Sequence, residues 1–345
     1  MKKILSVALV VVMLFAVVAL AGCSKAEPLK FGLGVVANYG DAKNADGETN
    51  GSGEFNTTAV AVLLDADGKI VKIDLDTAQL KTAWTSEGKI VATEDFRTKY
   101  DKGTDYGMAA AKIDKNGDGK ALEWNEQADA FMAAVVGKTI DEAKALMAED
   151  GYGVADLQTA GCTIHVTDFV VALEKAVANA VESTATAENA LKVALVSSAS
   201  YSNKDATEEA DGMDEVDTTI VAAVTDADGK VVVAKTDSTQ GKFSFNVKGE
   251  ATLDTKAEVK SKLELGDAYA MAPAKIDKNG DGVTLEWYAQ AAEFDKALVG
   301  KTAAEIGGLV VEGYGNDDLQ KAGCSIAVGD MVKAAAAAAT VATVA

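Results

Sequence analysis

The chain reads as an α+β protein of two homologous domains, each a small antiparallel sheet with helices packed on one side. Three observations lead there. A long segment occurs twice, each copy opens with β-rich runs joined by an Asp-Gly turn, and each copy ends in apolar residues at helical spacing.

The repeat is legible residue by residue. Asp65-Ala66-Asp67-Gly68-Lys69 returns as Asp226-Ala227-Asp228-Gly229-Lys230, and Ala111 to Gly119 returns as Ala274 to Gly282. Leu122-Glu123-Trp124, Gly137-Lys138-Thr139 and Gly151-Tyr152-Gly153 return as Leu285-Glu286-Trp287, Gly300-Lys301-Thr302 and Gly313-Tyr314-Gly315. A period this long marks duplicated domains, because solenoid repeats are far shorter. The expected domains are residues 30–182 and 193–342, joined by 183–192 within a Ser-, Thr-, Ala- and Glu-rich connection from Val181 to Asn189.

The start of the chain reads as an address. Met1-Lys2-Lys3 is basic, Ile4 to Leu20 is an apolar run interrupted only by Ser6, and Leu20-Ala21-Gly22-Cys23 follows. Basic start, apolar run and small residues before a cut site make a secretory signal peptide. A Cys after Leu-Ala-Gly resembles the bacterial lipobox, in which the thiol is acylated and the chain is cut before it. Residues 1–22 are thus the expected signal peptide, Cys23 the lipidation site and 23–29 a tether. The alternative is an uncleaved membrane anchor, since the run nearly spans a bilayer. Either way the remaining chain lies outside the cytoplasmic membrane, lipid-anchored on its extracytoplasmic face in the first case.

In each copy the strands come first. Thr57 to Leu64 and Lys69 to Leu75 flank Asp67-Gly68, a hairpin turn because Gly tolerates positive φ. Thr218 to Val224 and Val231 to Ala234 repeat the pair, and Gly88 to Ala92 is expected as a third strand. The period then changes. Ala128, Phe131, Met132 and Val135 share one helical face. Thr139…Glu142 and Thr302…Glu305 each have capping-box spacing. Phe169, Leu173, Val177 and Ala180 form the stripe of a last helix, with Thr167 or Asp168 as its expected cap.

Acidic residues outnumber basic ones by 53 to 33, giving a net charge of −20. That excludes nucleic acid as a partner, since binding it requires basic stripes that displace counterions. It also argues against docking a folded face on anionic lipid. A single histidine and three cysteines exclude a zinc finger. The expected partners are the membrane, through the lipid, and a small molecule or redox protein, with the chain itself monomeric.

Asp114-Lys115-Asn116-Gly117-Asp118-Gly119 and Asp277 to Gly282 match the first half of an EF-hand loop, in which alternate side chains offer hard oxygens to Ca²⁺. Asp114, Asn116, Asp118, Asp277, Asn279 and Asp281 are the candidate ligands. The match then fails, because Asn125 and Tyr288 stand where a bidentate Glu belongs. Glu123 and Glu286, two residues earlier, would compensate in another geometry. Calcium would bind weakly, at roughly 10⁻⁴–10⁻³ M. The other reading is a polar turn, which Asn-Gly-Asp-Gly makes with or without metal.

Cys162 and Cys324 occupy equivalent positions and read as two separate buried thiols. His165 has Ala327 as its counterpart and no nucleophile signature beside it, so it reads as structural or surface. Trp124 and Trp287 read as core, and Trp84, with Phe245 opposite in the repeat, as a surface aromatic.

Each copy ends in a shared tail. The first reads Asp156-Leu157-Gln158-Thr159-Ala160-Gly161-Cys162-Thr163, the second Asp318-Leu319-Gln320-Lys321-Ala322-Gly323-Cys324-Ser325, each followed by a helix. This tail resembles the end of the FMN-binding domain family of membrane-anchored bacterial lipoproteins and electron-transfer subunits, which carries Asp-x-x-Ser/Thr-Gly-Ala-Thr before its last helix. The turn at Asp67 to Ile70 resembles that family too. In family members with covalent flavin, a transferase links FMN phosphate to the motif Thr. The resemblance therefore implies FMN as cofactor, with Thr163 and Ser325 as acceptors beside Gly161, Gly323, Asp156 and Asp318. The chain departs from the motif in having Gly-Cys-Thr and Gly-Cys-Ser for Gly-Ala-Thr, and one extra residue after the Asp. Counted from Asp156 the acceptor position is Cys162; counted from Gly161 it is Thr163. The segments Glu286 to Gln290 and Gly300 to Thr302 are also similar to those of two-domain lipoproteins of gut Firmicutes, which implies architecture rather than chemistry.

Two functions follow as expectations. The first is a cell-surface lipoprotein whose FMN-binding-like domains carry electrons. The second is a cofactor-free surface protein that binds a ligand or adheres, stabilised by calcium if the loops hold it. Duplication raises avidity in that case. A hydrolase ranks last, since no nucleophile elbow, triad or zinc motif is present.

Overall fold

The computed structural model describes residues 27–111, 117, 119–272, 282 and 284–340. Residues 1–26, with the leader and Cys23, and all six candidate calcium ligands lie outside the described residues. The first copy runs β1 (Lys30–Tyr39), β2 (Gly51–Leu64), β3 (Ile70–Trp84), β4 (Ile90–Val91), α1 (Lys99–Lys102), α2 (Trp124–Val135), α3 (Ile140–Lys144), α4 (Ala155–Thr159), α5 (Thr167–Ala178) and β5 (Val181–Glu182). The second runs β6 (Ala190–Ala199), β7 (Gly212–Thr225), β8 (Val231–Phe245), α6 (Lys262–Leu265), α7 (Trp287–Leu298), α8 (Ala303–Ile306), β9 (Val310–Val311), β10 (Tyr314–Gly315), α9 (Asp317–Lys321) and α10 (Gly329–Ala338). The fold is α+β, with antiparallel sheets ordered β4-β3-β2-β1-β5 and β6-β7-β8.

The hairpins form where the sequence places them. Gly68 and Gly229 take φ of 76° and 74°, and Asp65 and Asp226 accept the amides of Lys69 and Lys230 at 2.8 and 2.9 Å. The strands run much further than expected, however: β3 reaches Trp84 and β8 reaches Phe245. Only the apolar half of each strand is legible in the sequence; the polar half faces a cleft. The expected third strand is a two-residue edge, β4, paired to the end of β3. Strands β1 and β6 carry no clean alternation and were not expected.

Along β2, Val60, Val62 and Leu64 face the helices, while Ala59, Ala61 and Leu63 face the other way. The second set packs against Val193, Leu195, Ile220, Ala222 and Val224 of the second copy. Both faces are buried, so the strand reads as an apolar run, not an alternation. The two sheets therefore stack face to face, with helices outside: helix layer, sheet, sheet, helix layer. The far end of this central core holds Phe55, Trp84, Phe243 and Phe245. Trp84 is buried, not a surface aromatic as expected, and stacks on Phe245 with centroids 4.9 Å apart. Its Nε1–H donates to the Gly249 carbonyl at 2.9 Å.

The sheet edges also meet. At the β1/β8 seam Lys175 pairs with Glu264 at 2.5 Å, and the Lys242 amide donates to the Tyr39 hydroxyl at 3.0 Å. At the β3/β6 seam the Val193 amide donates to Asp74 Oδ2 at 2.7 Å. The joining segment is itself tied down, with Ala185 buried and its carbonyl accepting the Leu29 amide at 2.8 Å.

Both expected capping boxes are present, with the Glu142 and Glu305 carboxylates each accepting the cap amide at 2.8 Å. The cap of α5 is a correction: Val166 holds that position without a side-chain bond, Thr167 is the first helical residue, and Asp168 sits in the first turn. Among the described residues no helix is long and apolar enough to cross a membrane.

Candidate functional site

The tail motif folds inward. Asp156 and Asp318 are exposed in the first turns of α4 and α9. The chain then reverses at Gly161 and Gly323, with φ of 108° and 104°. Cys162 and Cys324 enter the helix-side core of their own copy, unbridged and fully buried. Burial pushes their thiols up to about 11 and about 12. The next residue on each side is closed off as well. Thr163 donates both its amide and its hydroxyl to Gln127 Oε1, at 2.8 and 3.0 Å. Ser325 does the same to Gln290, at 2.8 and 3.2 Å. These hydroxyls are 7% and 6% exposed. The motif thus brings Gly161 and Thr163, and Gly323 and Ser325, together beneath α2 and α7, with the aspartates away at the surface.

Glu123 and Glu286 are also committed. The two oxygens of Glu123 accept the amides of Met108 and Ala109, at 3.0 and 3.2 Å, and Glu286 holds Met271 and Ala272 at the same distances. Among the described residues no group of three or more acidic, His or Cys side chains is placed to hold a metal ion.

The first copy does hold a cleft of about 530 Å³ between the helix-side face of the sheet and the start of α5. It is the polar half of the long strands. Glu54, Asn56 and Gln79 form its floor, Asp168 and Lys99 its walls, and Trp124 its apolar base. Glu54 Oε1 accepts from Asn56 at 3.0 Å and from Gln79 at 2.9 Å. Asn38 donates to Asp168 Oδ2 at 3.0 Å, and the Tyr106 hydroxyl donates to Gln79 at 3.2 Å. The Lys99 ammonium lies 5.3 Å from the Tyr106 ring centre and 5.6 Å from that of Trp124. Burial lowers its pKa, with Glu54 and Asp168 pulling it back. Among the described residues Lys99 makes no hydrogen bond or ion pair. His165 is exposed at the rim, its ring tilted 35° against that of Tyr152 with centres 3.7 Å apart.

The second copy repeats the frame. Gln240 donates to Glu215 at 2.7 Å, and Ser198 donates to Asp330 at 2.8 Å. Lys262 lies 5.0 and 5.4 Å from the rings of Tyr269 and Trp287. Its pKa is again lowered by burial, and it too has no hydrogen bond or ion pair among the described residues. Ligand-facing residues differ more: Asn56, His165 and Phe169 face Asp217, Ala327 and Met331 in the repeat.

Sequence reasoning singled out none of Glu54, Asn56, Gln79 and Lys99, and Asp168 only as a cap. The available signal was their return as Glu215, Gln240, Lys262 and Asp330 at repeat-equivalent positions. Such a frame offers a polar small molecule donors, acceptors and an unspent ammonium above an aromatic base. Compared with protein-family models, with curated proteins and with solved structures, the chain has no match.

Proposed function

We propose that this is a two-site binding protein that holds a small polar ligand in each copy's cleft without transforming it. One observation carries the reading: each copy keeps a lysine, unpaired among the described residues, over a Tyr–Trp pair and beside the same Glu and Gln. A half-buried ammonium with unspent donors is costly unless something satisfies it. The leader supports an address outside the cytoplasmic membrane, with Cys23 as the anchor. The cofactor-free reading is preferred to covalent flavin because Thr163 and Ser325 spend their hydroxyls on buried glutamines.

The test uses the chain from residue 24, titrated with amino acids, short peptides, sugars and sugar phosphates while its melting temperature is followed. A solute that raises it, and fails to when Lys99→Ala and Lys262→Ala are combined, supports the proposal. No such solute sinks it. Co-expression with a flavin transferase should leave the mass unchanged. An added FMN mass at Thr163 or Ser325 would replace this reading with a flavin carrier.

A further inference from the structure

Beside the second copy's frame lies a pocket whose charge differs from that of its first-copy equivalent. In the second copy Lys242, Lys260 and Lys262 border one pocket of about 320 Å³ with Gln240 and Tyr269. Lys260 and Lys262 have no hydrogen bond or ion pair among the described residues. Lys242 shares Glu215 at 3.4 Å. Behind Lys262, Asp217 is bonded by Gln240 at 2.8 Å, and Asp237 is engaged by the Ser238 and Leu263 amides. On the flanking elements Asp267 accepts from Tyr288 at 3.1 Å, and Asp330 is paired to Lys333 at 2.9 Å. Three ammonium groups therefore converge on a small pocket in a chain of net charge −20.

The repeat supplies an internal control. The first-copy counterparts are Lys81, Arg97 and Lys99. There Arg97 is held by Asp95 at 3.1 Å and by Asp105 at 2.8 Å, and Lys102 leans on Asp95 at 3.7 Å. In the second copy Asp105 is replaced by Ala268 and Lys102 by Leu265. The equivalent first-copy pocket, where Gln79, Lys81, Lys102 and Tyr106 stand with Glu94, Asp95 and Asp105, mixes acids with its cations, whereas no acid lines the second-copy pocket.

We infer that this second-copy pocket binds a phosphate group, free or as an ester, and that its first-copy equivalent does not. The inference rests on the two-cleft reading, since Lys262 serves both, and names a ligand chemistry beside one of its sites. Lysines act on phosphate as point charges, and three of them suit a tetrahedral oxyanion better than a planar carboxylate. A strongly acidic chain repels anions elsewhere, so a bound one concentrates at this local reversal of sign.

The experiment titrates the isotope-labelled chain, residues 24–345, with inorganic phosphate, glycerol 3-phosphate and acetate at fixed ionic strength. Saturable shifts are expected around Lys262 and Tyr269 with the phosphates, and not around Lys99 and Tyr106. Shifts with both phosphates, or with one alone, support the inference and tell free phosphate from ester. Lys260 is exposed, so Lys260→Glu keeps the fold and should weaken binding about ten-fold or more, while Arg97→Ala leaves it unchanged. The inference is overturned by no saturable shift at the lysine pocket, by equal binding of acetate, or by an indifferent Lys260→Glu. If another solute still needs Lys262, that result leaves the two-cleft reading standing; if no solute needs either lysine, both fall.

Discussion

Gln127 shows how a single side chain decides what the tail motif does. Its Oε1 accepts the Thr163 amide and hydroxyl, and its Nε2 donates to the Leu122 carbonyl at 3.1 Å. Gln290 repeats this with Ser325 and Leu285. A buried polar group left without its partner costs about 1–3 kcal/mol. Gln127→Ala should therefore lower stability by about 2 kcal/mol or more, read from the urea midpoint, while Thr163→Val costs less. Equal costs would mean that the glutamine is not the hub. Cys162 and Cys324 give a second test at this scale. With both thiols buried and pushed up, a water-soluble disulfide reagent should leave them untouched in the native chain and titrate them on unfolding. Rapid native labelling of either would contradict their placement.

At the scale of elements, two short helices hang on buried aspartates. Asp76 Oδ1 accepts the Thr77 and Tyr100 amides, at 2.6 and 3.3 Å, and so holds α1. Asp237 Oδ1 accepts those of Ser238 and Leu263, at 2.7 and 3.0 Å, and holds α6. Burial is the main cause pushing Asp76 up to about 7 and Asp237 up to about 6. Asp74 and Asp295 are also raised to about 6 by burial. An unfolded Asp titrates near ~3.9, so between about pH 4 and pH 7 the native state binds more protons than the unfolded one. Stability then falls as pH rises through that window. The melting temperature should be higher at pH 5 than at pH 8, and Asp76→Asn with Asp237→Asn should flatten the difference. A melting temperature that climbs from pH 5 to pH 8 would show that these carboxyls are not buried as described.

At the scale of the whole molecule, the two copies share a central core between their sheets, besides the helix-side core that each has of its own. Phe243 of the second copy sits over Gly53 of the first, where an added Cβ would lie 2.2 Å from the ring; Phe55 sits likewise over Gly241, at 2.3 Å. Only glycine lets the rings approach that closely. The central layer also holds the Trp84–Phe245 stack and the Thr57–Thr239 hydroxyl bond at 2.7 Å. Unfolding should thus be one cooperative calorimetric transition for both copies. Phe243→Ala, a large-to-small change in the core, should destabilise it by about 3–5 kcal/mol without splitting it. Two separate transitions would show copies that fold independently.

The sequence by itself determined the duplication, the hairpin turns, the capping boxes and the α+β class, because each rests on local chemistry repeated at fixed spacing. Asp65 and Gly68 make their turn wherever the chain runs, and Thr139 with Glu142 caps its helix from three residues away. The tertiary structure alone decided what the strands face. A β2 segment buried on both sides shows no period of two, so its sequence carries no sign that a second sheet covers it. The cleft was hidden for the same reason. Glu54, Gln79, Lys99 and Asp168 come from four elements and are scattered along the chain, and only the fold brings them to one wall. The tail motif was fully visible as a string, yet its spacing could not say that Gln127 would reach across to Thr163. Hydrogen-bond partners distant in sequence are set by packing, and packing closed that hydroxyl.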